Sequence, residues 1–93
     1  MIRTFRCRDT ERIWNGYSSP KFPPDVQQRA LGKLRQLDAA LNLQDLRNPP
    51  GNRLEALKGG RKGQFSIRID SQWRICVRWA DGEAHDVEIV DYR

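Results

Sequence analysis

Three runs of period-two alternation close the chain, and they constrain its fold more than any other feature. Phe65, Ile67 and Ile69 alternate with Ser66, Arg68 and Asp70; Trp73, Ile75, Val77 and Trp79 alternate with Arg74, Cys76 and Arg78; His85, Val87 and Ile89 alternate with Asp86, Glu88 and Val90. Alternation puts successive side chains on opposite faces, so each run predicts a strand with an apolar and a polar face. A slip of one residue would carry the arginines into the core, which fixes the register. With a three-residue loop at Asp81–Glu83, the last two strands set Arg78 opposite Asp86, Cys76 opposite Glu88 and Arg74 opposite Val90. Arg78 thereby gains a carboxylate across the strands. Arg74 gains none and is left to hold an anion or to point to solvent. His85 falls inward beside Val87 and Ile89, as a partly buried histidine would.

An apolar sheet face needs a cover, and the N-terminal half supplies one. Pro24 and Asp25 suit a first helical turn, and Val26, Ala30, Leu34, Leu37 and Leu41 recur at three- and four-residue steps. That pattern predicts a helix over 24–42 with one apolar stripe. Asp9 to Trp14 predicts a shorter helix, with Asp9 as N-cap and Asn15-Gly16 as the stop. Residues 2–6 read as a short, charged edge strand. Tyr17–Pro24, with three prolines, reads as a loop, and Asn48-Pro49-Pro50-Gly51-Asn52 separates the helical half from the strand half. Neither half is large enough to stand alone. The expectation is one α+β domain over residues 1–93: two N-terminal helices packed on one face of a small, mainly antiparallel sheet.

Composition narrows the function classes. No apolar run is long enough to cross a membrane, and the opening Met-Ile-Arg-Thr-Phe-Arg has no apolar signal core behind it, so a cytoplasmic protein is expected. Cys7 and Cys76 match no metal spacing and His85 is the lone histidine, so neither a metal nor another cofactor is expected. The net charge is +5, and thirteen of the seventeen basic residues are arginine. Arginine's planar fork suits bidentate phosphate contacts and stacking on bases, so the bias favours nucleic acid.

RNA can be cut without a metal when a base takes the 2′-hydroxyl proton, a cation neutralises the developing phosphorane and an acid protonates the leaving 5′-oxygen. Lys58, where a strand meets a glycine turn, Arg74, on the polar face of a central strand, and Tyr92, at the chain end, are the candidates to converge on one such point. The stretch Lys58-Gly-Gly-Arg-Lys-Gly63 lacks the flanking pattern and Ser/Thr of a P-loop, and reads instead as a flexible basic loop touching backbone phosphates.

Taken in order, Arg53-Leu-x-x-Leu-Lys58-Gly, Gly63-x-x-Ser-Ile67, Gln72-Trp-Arg74-Ile, Asp86-Val and Asp91-Tyr92 resemble the HigB branch of the RelE-type bacterial toxins, the plasmid maintenance killer proteins. The resemblance spans the whole chain. It implies a RelE-like microbial RNase fold and a ribosome-dependent mRNA endoribonuclease, the toxin of a type II toxin–antitoxin system. It further implies an antitoxin carrying a DNA-binding helix-turn-helix, HigA-like, through which the complex reaches operator DNA. By matching position, Lys58 becomes the catalytic basic residue, Arg74 the phosphate-stabilising arginine, and Tyr92 an acid–base or base-stacking aromatic. Some relatives carry histidine where this chain has Glu55 and Arg93. Glu55 therefore either replaces that histidine as base or pairs with Lys58 or Arg53. Arg53, Arg61, Lys62, Arg68 and Arg93 complete the cationic face as RNA-binding candidates. The rival expectation is a basic module that grips nucleic acid without cutting it, or an inactive relative that works with its antitoxin at an operator.

Overall fold

In a computed structural model that describes residues 1–92, two helices cover one face of a four-stranded antiparallel meander. Helix α1 spans Arg8–Trp14 and α2 spans Pro24–Ala39. The strands are β1 (Glu55–Ala56), β2 (Gln64–Arg68), β3 (Trp73–Ala80) and β4 (Glu83–Asp91), in the order β1-β2-β3-β4. Short 3₁₀ turns at Leu43–Arg47, Pro50–Asn52 and Gly59–Arg61 fill the connections. The expected α+β architecture is the observed one.

Val26, Ala30, Leu34 and Leu37 bury the inner stripe of α2 against Ile67, Ile75, Val77, Val87 and Ile89 of the sheet. Fully burying a leucine or isoleucine contributes about 1.5–3 kcal/mol, so this layer supplies most of the driving force for folding. Leu41, expected on the same stripe, is 84% exposed. The helix stops at Ala39 because the Asp45 carboxylate accepts the Leu41 and Asn42 backbone N–H groups, at 2.8 and 3.2 Å, and diverts them into the next turn. Asp9 is likewise not the N-cap of α1. That position is Cys7, and Asp9 accepts the Ser19 hydroxyl at 2.8 Å, tying the helix to the proline loop.

The sheet's outer edge explains three departures together. The β3–β4 hairpin closes with two residues, Asp81 and Gly82, whose φ values of 55° and 74° are those of a type I′ turn, and not with three. A bulge then restores the alternation. Arg74 faces Val90 and Cys76 faces Glu88 as expected, but Arg78 faces His85, with the shift falling between Cys76 and Arg78 and Asp86 at φ 54°. His85 consequently lies on the Arg78 face, not inward with Val87 and Ile89. The Arg78–Asp86 ion pair forms all the same, at 3.1 Å. Residues 2–6 do not make a continuous strand: Ile2 and Phe5 bridge β4 in parallel at Ala84 and Val87. Between the two bridges, the Thr4 hydroxyl accepts the Asp86 N–H at 2.8 Å, so the bulge that breaks the ladder is still satisfied.

Candidate nucleic-acid cleft

The sheet face away from the helices carries the charged residues in cross-strand rows. Glu55, Ser66, Cys76 and Glu88 form one row, and Arg68, Arg74 and Val90 the next. Arg68 and Arg74 are direct partners, a like-charge pairing that destabilises a bare sheet.

Arg74 differs from the expected free arginine. It is only 8% exposed, because its Nε donates to Ser66 Oγ at 2.8 Å and its Nη2 donates to the Arg53 and Ser66 carbonyls at 2.7 and 3.3 Å. Its Nη1 takes part in none of these bonds. Arg53 presents its carbonyl because it caps the Pro50–Asn52 turn in the left-handed conformation, φ 45°. The Tyr92 ring lies over the guanidinium, 5.5 Å from carbon to centroid, and the Tyr92 N–H donates to the Gln72 carbonyl at 2.6 Å. A guanidinium fixed on two sides and capped by an aromatic ring is oriented before any ligand arrives.

Two adjoining hollows share Tyr92. One, of about 200 Å³, is lined by Arg53, Arg68, Asp70, Ser71, Arg74 and Tyr92. The other, of about 550 Å³, is lined by Glu55, Ala56, Leu57, Lys58 and Tyr92. Lys58 and Glu55 thus line one hollow beside the tyrosine, and the three arginines line the other. Lys58 stands between β1 and the Gly59–Arg61 turn, as expected from the sequence. Glu55 enters none of the ion pairs among the described residues, which are Arg3–Glu83, Arg61–Glu88 and Arg78–Asp86. Its carboxylate is therefore not committed to Lys58 or Arg53.

The remaining candidates fall apart from this group. Arg61 sits in an ordered turn and donates to Glu88 Oε1 at 2.9 Å and Gln64 Oε1 at 3.0 Å; the hydrogen bond to Glu88 holds its pKa above the ordinary arginine value. Lys62 is exposed and lines neither hollow, and Arg93 lies outside the described residues. Cys76 is buried in the row beneath the cleft, and burial pushes its thiol pKa up. Among the described residues no cluster of three metal-ligating side chains exists. The residue that sequence reasoning missed is Ser66. It is fully buried on the polar parity of β2, between Gln64 and Arg68, and is the anchor of Arg74.

The chain is similar to several known proteins. A family described as the RelE-like toxin of type II toxin–antitoxin system HigB matches residues 3–93. "Toxin HigB-1" of Vibrio cholerae serotype O1 is 47% identical over 63 residues, which make up 68% of this chain and 66% of that protein, just under two thirds of its length. "Endoribonuclease HigB" of Proteus vulgaris is 27% identical over 92 residues, 99% of each chain. Among solved structures, a YafQ mutant from E. coli superposes with a TM-score of 0.63 at 10% identity, covering 98% of this chain and 93% of that one. The YoeB–YefM complex from Staphylococcus aureus gives 0.59 at 14% identity, covering 100% and 98%. At such identities the two structures speak for the fold alone.

Proposed function

Because the chain belongs to the HigB-like family of RelE-like toxins of type II toxin–antitoxin systems, we propose that it is a cytoplasmic endoribonuclease that cuts mRNA on the ribosome. One observation carries the reading: Lys58 and Glu55 on one side, and Arg53, Arg68 and Arg74 on the other, meet at Tyr92. The similarity to a protein named as an endoribonuclease supports it.

In this mechanism the 2′-hydroxyl attacks the adjacent phosphorus and the 5′-oxygen leaves, giving a cyclic phosphate. Arg74, with Arg53 and Arg68 beside it, stabilises the phosphorane's extra negative charge; an anion there also relieves the Arg68–Arg74 repulsion. Glu55, the uncommitted carboxylate, takes the 2′-hydroxyl proton, and Lys58 or Tyr92 returns one to the leaving oxygen. Tyr92 also offers a face for a base to stack on. The chain acts with an antitoxin of the HigA type, whose helix-turn-helix carries the complex to operator DNA.

The test is induction of this chain alone in a bacterial culture, beside Lys58→Ala and Arg74→Ala, with message ends mapped. The expected result is arrest and new cuts in translated messages with the parent, and cleavage lower by about 10²–10⁴-fold in each variant. Arrest by all three without new cuts would replace this reading with a basic module that blocks translation by occupancy.

A further inference from the structure

The cleft does not end at Arg68. On the far side of that residue, the β2–β3 turn and the outer flank of α2 enclose a further hollow of about 450 Å³, lined by Arg29, Lys33, Gly51, Arg68, Asp70 and Ser71. Arg68, Asp70 and Ser71 line this hollow and the Tyr92–Arg74 hollow alike. The two therefore adjoin across these residues, and Arg68 Nε donates to the Asp70 carbonyl at 3.0 Å.

Charge and construction both mark this hollow as a place for an anion. Three cations, Arg29, Lys33 and Arg68, line it against one carboxylate, Asp70, whose Oδ1 already accepts the Gln72 and Trp73 N–H groups at 2.8 Å each. Lys33 is half-buried, and its ammonium donates to the side-chain oxygen of Asn52, a neutral group. Asn52 is itself fully buried, and its amide nitrogen donates to Gln36 Oε1 and to the Leu46 and Asn48 carbonyls. No carboxylate comes within ion-pair distance of Lys33 or Arg29 among the described residues. Burial pushes the Lys33 pKa down, the cost of holding a cation there without a counter-ion. A cation aimed by a buried neutral amide, one helical turn from a second cation, is arranged for a ligand and not for an internal pair.

We propose that Arg29, Lys33 and Arg68 form a second RNA subsite, which grips the ribose–phosphate backbone of the strand as it leaves the Tyr92–Arg74 cleft. The proposal deepens the endoribonuclease reading and rests on it for the identity of the ligand. The contacts are to backbone, so they add affinity and register without sequence preference. Adjacency to the cleft, through the shared Arg68, Asp70 and Ser71, points to the strand being cut; the backbone of ribosomal RNA offers the same chemistry, and two measurements separate them.

Binding of labelled 2′-O-methyl RNA of three and nine nucleotides, in which the nucleophile is blocked, is followed by fluorescence anisotropy for the parent, Arg29→Ala and Lys33→Gln. Co-sedimentation of the same proteins with ribosomes is the second arm. The expected result is that the parent binds the nonamer several-fold tighter than the trimer. Arg29→Ala removes most of that gain, leaves the trimer unaffected and lowers the slope of log K against log salt by about 0.7, the share of a single phosphate. Lys33→Gln weakens the nonamer too, but because it also touches the Asn52 network, the exposed Arg29 decides the outcome. Unchanged nonamer binding with weakened ribosome binding assigns the subsite to ribosomal RNA. Unchanged binding in both arms, or a parent that gains nothing from nonamer length and an Arg29→Ala that sediments normally, overturns the subsite. Failure of the cleavage reading is seen separately, in message ends that survive Lys58→Ala and Arg74→Ala, since blocked RNA reports binding alone.

Discussion

Ser66→Ala isolates the device that aims the cleft. The change removes one oxygen, the acceptor of Arg74 Nε at 2.8 Å, from a position with no solvent exposure. Water cannot readily replace it, and Nε of a buried guanidinium is left without a partner while Nη2 keeps the Arg53 and Ser66 carbonyls. A hydrogen bond to a charged group contributes about 1.5–3 kcal/mol. For a chain of this size, at about 4–8 °C per kcal/mol, that lowers Tm by roughly 6–24 °C. If the guanidinium also loses its orientation toward the phosphorane, the same energy appears as about a ten- to hundredfold loss of cleavage. The assay pairs a thermal melt with cleavage of a translated message, measured well below Tm. Cys76→Ala is the control: it lies in the same buried row but makes none of Arg74's three bonds, so it costs stability without costing cleavage. A Ser66→Ala protein that melts early yet cuts at the parental rate would refute the positioning role. Parental melting would refute the energetic argument itself.

Other expectations follow from single features. Leu34→Ala, at a site with no exposure, costs about 2–5 kcal/mol in denaturant unfolding, whereas Leu41→Ser, 84% exposed, stays within about 0.5 kcal/mol; equal costs would contradict the early end of α2. Asp86→Val costs about 1–3 kcal/mol beyond Asp86→Gly because a β-branched residue resists φ 54°, and a reversed order would rule out the bulge conformation. The two thiols differ in reactivity. Burial pushes both up, but at Cys7 the Thr10 N–H and hydroxyl, the Asp9 N–H and the Lys21 ammonium outweigh it and bring the pKa below the ordinary value. Thiolate being the nucleophile, iodoacetamide at neutral pH labels Cys7 well before Cys76, and comparable rates in the folded protein would contradict this difference.

The fold was legible where one periodicity dominated and no competing polar group intervened. Val26, Ala30, Leu34 and Leu37, and Ile67, Ile69, Ile75 and Val77, are buried as their spacing demands, and Phe65 and Trp73 pack partly buried against them. The misplacements arose where side chains bid for backbone. Asp45 ended α2 before Leu41, and Thr4 satisfied the Asp86 N–H so that a bulge could sit in β4. The three-residue loop expected at Asp81–Glu83 would keep Val87 and Ile89 facing inward, and the structure does so by another route. A two-residue Asp-Gly turn matches strand twist better than a three-residue loop, so the extra residue moved to Asp86. His85 changed face as a direct result, since parity reverses across a bulge.

At the site, the sequence named the cations but not their condition. Parity placed Arg68 and Arg74 on one face, but nothing in a period-two pattern tells an arginine in water from one folded back onto its own sheet. Two non-local facts decide that: Ser66 lies across the ladder from Cys76, one step from Arg74, and Arg53 turns its carbonyl inward through a left-handed residue. The same two facts separate the parts of the proposed chemistry. The arginine hollow has a guanidinium already fixed, suited to stabilising charge that appears only during reaction, whereas the Lys58–Glu55 hollow, to which the proposed mechanism gives proton transfer, holds exposed groups. In that mechanism, stabilisation is built into the folded sheet and proton transfer is left to side chains at its edge. Substitutions at the buried floor of the cleft, at Ser66, should act through Arg74 alone, while substitutions at Glu55 should alter the pH dependence of cleavage and leave Arg74 in place.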